Sequence, residues 1–103
     1  MYKLSFYVPE SHLEAVKVAV FNVGAGKIGN YDCCSWQTRG QGQFRPLKGS
    51  MPALGQEGRV ETVPEFKVEL VCQNDLIAKA VDALKQAHPY EEPAYEVVQL
   101  ADF

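Results

Sequence analysis

At 103 residues, with 47% hydrophobic and 22% charged, the chain is long enough for one domain (residues 1–103) with a substantial core and too apolar for a disordered segment. Ten basic against 13 acidic residues give a net charge of −3. That excludes duplex nucleic acid as a partner, since such binding rests on many Lys and Arg contacts to phosphate.

In chain order, Tyr2–Val8 alternates Leu4 and Phe6 against Lys3 and Ser5 and predicts a strand ended by Pro9. Ser11 followed by Glu14 spells a capping box, opening a helix with Leu13, Val16, Ala19, Val20 and Val23 on one face and Gly24 beyond its end. "YDCCSWQT" from Tyr31 predicts a second strand, and Val60–Gln73 a long third one with Phe66, Val68, Leu70 and Cys72 on one face. Pro64 inside it implies an edge, a bulge or a bend. Asn74 is expected to cap a second helix whose buried stripe is Ile77, Ala80, Val81 and Leu84. Pro89 closes that helix, and Ala94–Leu100 is the last strand.

The order β-α-β-β-α-β predicts an α+β ferredoxin-like fold, an antiparallel sheet with both helices on one face. Its irregular feature is Arg39–Arg59, a connection of roughly 20 residues where hairpins normally take 2–5; such loops are usually functional or ordered by a partner. No apolar run approaches membrane-spanning length, and "MYKLSFYVPE" contains no signal-like apolar segment. Three cysteines without framework spacing fit reduced thiols, so a cytoplasmic setting without a membrane partner is expected.

Gly24-Ala25-Gly26-Lys27-Ile28-Gly29 matches G-x-G-x-x-G, but it follows a helix and precedes a strand. Phosphate cradles need the reverse order, with free N–H groups at a helix N-terminus. A helix cap and turn is the reading that context supports. Cys33 and Cys34, taken as neighbours in a strand, would point to opposite faces, one of them as a buried small hydrophobe, with Cys72 brought to the same end of the sheet.

Three segments meet at the other end: His12, the long connection, and His88-Pro89-Tyr90-Glu91-Glu92-Pro93. In the last, two prolines stiffen a span bearing imidazole, phenol and two carboxylates. His12, His88 and Glu91 have the donor chemistry for a weakly held divalent metal, although only two or three ligands are in view. No other cofactor is indicated. The alternative is a rigid turn with solvated carboxylates and Tyr90 at a subunit contact. Arg39, Arg45 and Arg59, all the arginines of the chain, lie in the long connection with Lys48 and only Glu57 against them, giving it +3 while the remainder sums to −6. They suit capture of a carboxylate or phosphate, or salt bridges between subunits. Together with Tyr90, Glu91 and Glu92 they form the candidate ligand-binding set. No nucleophile elbow, HExxH or paired-acid motif is present.

The motifs "GNYDCCS", "GQGQFRP" and "HPYEEPAY" together closely resemble the domain inserted in the middle of long YqfO-type proteins of the Nif-three-like family, over nearly the whole chain. Within them Cys34 occupies the motif cysteine and Trp36 a place where Phe is commoner. "HPYEEP" also resembles the CutA divalent-ion-tolerance family, which shares the ferredoxin-like fold with PII signalling proteins and forms trimers. The resemblance implies a non-enzymatic module acting in assembly, gating or ligand sensing, with a small ligand, metal ion or partner protein as occupant. The alternative it raises is a metal-dependent hydrolase of GTP cyclohydrolase type, or a subunit of one; the dinuclear metal ligands of that family lie in flanking domains without a counterpart here. A homo-oligomer, with three copies favoured, follows from both the resemblance and the open sheet face. There the alternation places Lys3, Ser5, Tyr7, Val63, Glu65, Lys67, Glu69 and Val71, and Tyr7, Val63 and Val71 would expose an apolar patch.

Overall fold

A computed structural model describes Met1–Phe103. Strand β1 (Tyr2–Pro9) runs into a 3₁₀ turn (Glu10–His12) and helix α1 (Leu13–Asn22). Strands β2 (Trp36–Phe44) and β3 (Glu61–Cys72), helix α2 (Ile77–Ala87) and strand β4 (Tyr95–Gln99) follow. The sheet order is β2-β3-β1-β4 with every neighbouring pair antiparallel, the ferredoxin-like arrangement.

Alternation along the two central strands explains the core. Leu4, Phe6 and Val8 of β1 and Val68, Leu70 and Cys72 of β3 are buried, in one cluster with Leu13, Val16 and Val20 of α1 and Ala80 and Leu84 of α2. Both helices therefore cover the same face. Val23, Ile77 and Val81 pack against this cluster from its rim.

Neither helix begins as expected. Ser11 lies in the 3₁₀ turn, where its Oγ meets His12 Nδ1 at 2.8 Å, and α1 starts at Leu13 with no side-chain cap. At α2 the cap position is Leu76 rather than Asn74, again without a capping side chain. In both places the chain tightens first, as with the Leu76 N–H bonded to Gln73 O, so the donors that a cap would satisfy are reached differently.

The second strand also moves. Tyr31–Ser35 is turn and coil: Gly29 and Cys33 have φ of 57° and 54°, and Ile28 and Tyr31 form an isolated bridge across the turn. Cys33 is consequently exposed and Cys34 half-buried, so neither is the buried strand residue expected; Cys72 alone is in the core, and all three thiols are free. The strand begins at Trp36 and takes in Arg39–Phe44, formerly the start of the long connection, because the twelve residues of β3 offer a ladder as far as Glu61↔Phe44. The connection shrinks to Arg45–Val60. It is tied internally, by Gly58 N–H to Pro46 O at 2.7 Å and by Ser50 to Leu47 O.

On the open face the register aligns Trp36 with Glu69, Lys67 with Tyr7, and Lys3 with both Val71 and Val98. Tyr7, Val63 and Val71 are half-buried there, and the exposed apolar side chains are Trp36 and Val98. Glu69 pairs with Lys3 at 2.8 Å and Lys67 at 3.7 Å, and Ser5 is buried beneath this ion cluster.

Candidate functional site

The glycine run has no anion cradle. Gly24 N–H is bonded to Phe21 O, Gly26 N–H to Val71 O and Ile28 N–H to Tyr31 O, so alternate donors of the run are taken by the turn and do not point together at one anion. The run sits past the C-terminus of α1, the negative end of the helix dipole.

At the opposite end the HPYEEP segment is built around His88, which is buried. Its Nε2 lies 2.7 Å from Tyr7 O, an acceptor, and its Nδ1 receives the Tyr90 N–H at 3.1 Å. These partners require the neutral ring protonated on Nε2. Burial holds its pKa below the ordinary histidine range, the Tyr7 carbonyl opposing the shift. His88 thus staples the turn after α2 to β1, and both of its nitrogens are engaged. His12 spends Nδ1 on Ser11 in the 3₁₀ turn, and Glu91 accepts the Met51 N–H at 3.0 Å. No three His, Cys, Asp or Glu side chains are grouped closely enough to hold one metal ion.

What does converge is a cleft of about 430 Å³. One wall is the Gln41–Phe44 stretch of β2 with Glu65 of β3; a second is the connection at Pro46, Ser50 and Pro52–Leu54; the third is Tyr90–Glu92 and Ala94. Tyr7 forms part of its floor. The Met51–Glu91 bond ties the second wall to the third, and the Phe44–Tyr90 ring contact, 6.1 Å between centroids, ties the first to the third. The Tyr90 hydroxyl is buried with the Glu65 carboxylate as its polar neighbour, too poorly placed for a well-formed hydrogen bond, and burial together with that carboxylate pushes its pKa up to about 12. It is a neutral donor at any ordinary pH.

Of the expected ligand set, Tyr90, Glu91 and Glu92 line this cleft and the arginines do not. Arg39 lies 3.4 Å from Glu10 with its guanidinium over the Phe66 ring, and Arg59 reaches Gln56. Arg45 is exposed just beyond β2. Two residues were missed, Glu65 and Gly42. A β-carbon on Gly42 would overlap the Glu65 carboxylate, so this glycine is the space in which that carboxylate lies. The sequence signal was present, because glycine inside a strand marks close approach, but Gly42 was read as loop.

No family model matches the chain. It is 41% identical over 102 residues to the "GTP cyclohydrolase 1 type 2 homolog" of Halalkalibacterium halodurans, covering 99% of this chain and 27% of that protein. It is 47% identical over 98 residues to the protein of that name in Mycobacterium tuberculosis, covering 95% and 26%. The chain therefore spans about a quarter of the length of these curated relatives. A Bacillus cereus protein related to NIF3 superposes with a TM-score of 0.84 at 38% identity, over 98% of this chain and 26% of that one. CutA1 from Pyrococcus horikoshii superposes with a TM-score of 0.72 at 18% identity over 100% and 86%, which shows a shared fold. Over nearly its whole length, then, this chain is homologous to one segment of the NIF3/YqfO-related proteins, a segment folded like CutA.

Proposed function

We propose that the chain is a non-enzymatic oligomeric binding module whose ligand site is the cleft between β2, the Arg45–Val60 connection and the HPYEEP turn. The observation that carries this reading is the cleft itself, whose walls come from three separate segments and which holds the buried Tyr90 hydroxyl and the Glu65 carboxylate side by side. Polar groups held together in a largely apolar cleft are positioned to orient a ligand. The cyclohydrolase name belongs to relatives nearly four times as long, of which this chain matches one segment. A divalent ion at His12, His88 and Glu91 would first have to break a hydrogen bond of His88, which supports weak binding at most.

Assembly belongs to the same reading. The exposed Trp36 and Val98 of the open face, and Leu47, Met51, Leu54 and Val60 on the connection, are large apolar side chains that another copy would cover. Arg45 and Arg59, outside the cleft lining, are assigned to contacts between copies, and the CutA resemblance favours three of them. The three free thiols support a cytoplasmic setting, and no helix is long and apolar enough to cross a membrane. A fragment screen by two-dimensional NMR tests the site: hits should perturb Gly42, Ser50 and Tyr90 together. Hits confined to other surfaces would overturn the assignment.

A further inference from the structure

The charge of the cleft points away from an anion. Its walls contain three carboxylates, from Glu65, Glu91 and Glu92, and no lysine or arginine. Glu91 is occupied by the Met51 N–H, and Glu92 is exposed at the rim. Glu65 differs from both: it is half-buried, lies over the bare α-carbon of Gly42, and has the Tyr90 hydroxyl beside it. No ion pair neutralises it, although Lys3 and Lys67 of the same sheet face both pair with Glu69. The rest of the lining is apolar or uncharged, with Phe44, Pro46, Pro52 and Leu54 among its apolar side chains.

We propose that this cleft takes an organic ammonium cation carrying an apolar body, with the ammonium at Glu65 and the body against Phe44, Pro52 and Leu54. A half-buried carboxylate without a counter-ion attracts a cation more strongly than a solvated one, because less water screens it. An ammonium brings three donors, enough for Glu65, for the Tyr90 oxygen as acceptor, and for a third contact at the rim. The glycine at position 42 is then a specificity device, since any side chain there would displace the carboxylate that reads the charge.

The inference rests on the cleft being the ligand site, and one experiment separates the two claims. Three probes of nearly equal shape, 2-phenylethylammonium, 2-phenylethanol and 3-phenylpropionate, are titrated into the whole chain and followed by the amide signals of Gly42, Ser50 and Tyr90. The ammonium should bind in the range of about 1 mM, appropriate for so small a ligand, and at least about tenfold more tightly than either other probe, the effect of one charged hydrogen bond. Glu65→Gln should abolish that preference while leaving the alcohol's affinity within about twofold, and Gly42→Ala should weaken the ammonium in the same sense. If the propionate or the alcohol binds as well as the ammonium at these residues, the cation inference fails and the cleft assignment stands. If none of the three perturbs them, both fail. Should Glu65→Gln misfold, the ranking of the probes on the unaltered chain still decides the question.

Discussion

His88 accepts the Tyr90 N–H on one nitrogen and donates from the other to Tyr7 O, and only the neutral ring serves both partners. Unfolding releases it to bind a proton near its ordinary value of about 6.5, whereas burial keeps the folded value lower. Between these values the unfolded chain holds the extra proton, so stability present above about pH 6.5 is lost as pH falls through that window. Glu69 works in a lower range: the hydrogen bond and charge of Lys3 depress its pKa, and its contribution disappears only as pH falls through the carboxylate range. Urea midpoints should therefore drop between about pH 7.5 and 5.5, and His88→Gln, which can donate without titrating, should lose most of that dependence although it starts less stable. An undiminished dependence in the variant would assign the titration to another group. At this scale much of the site was legible: HPYEEP stood out because two prolines and four functional side chains share six positions. The role of Glu65 was not, since nothing local distinguishes it from Glu69, four residues later on the same alternating strand face.

Among the elements, α1 separates a sequence signature from its geometry. Ser11 and Glu14 have capping-box spacing, yet the helix begins two residues after Ser11 and the serine side chain turns to His12. Ser11→Ala should accordingly change stability by less than about 0.5 kcal/mol, where loss of a working cap costs about 1. A loss of 1 kcal/mol or more by urea titration would return Ser11 to a capping role. The two helices, β1 and β3 were readable because each buries one periodic face, and β4 because its Tyr95–Val98 run, rich in aromatic and β-branched residues, follows a proline-bounded turn. β2 was misplaced for the opposite reason: its side chains are mostly exposed, so no hydrophobic period marks it, and two glycines suggested a loop. Backbone pairing to an already specified β3 makes it a strand, which is a tertiary cause that local propensity does not record.

The molecule as a whole is elongated, 46 × 24 × 24 Å. Its open face joins a charged centre around Glu69 to exposed Trp36 and Val98. Packing of copies through that face predicts a trimer mass in light scattering at tens of micromolar, and Val71→Glu, which puts a carboxylate in the same row as Val98, should shift it towards monomer. A monomer mass for the unaltered chain would refute the assembly; a dimer would refute only the number of copies. The elongation comes from β3, whose residues Glu65–Glu69 are paired on both sides, while Leu70–Cys72 pair with β1 alone and Glu61–Pro64 with β2 alone. One strand is thus a core strand at one end and half of a two-stranded ribbon at the other, and ribbons of that kind are marginal on their own. Local opening should be frequent in the ribbon and rare in the body. The cleft lies where the two regimes join, so an occupant touching both would hold the ribbon closed. By thermodynamic reciprocity, any contact that steadies the ribbon, including a neighbouring copy, would tighten binding in the cleft by the same factor.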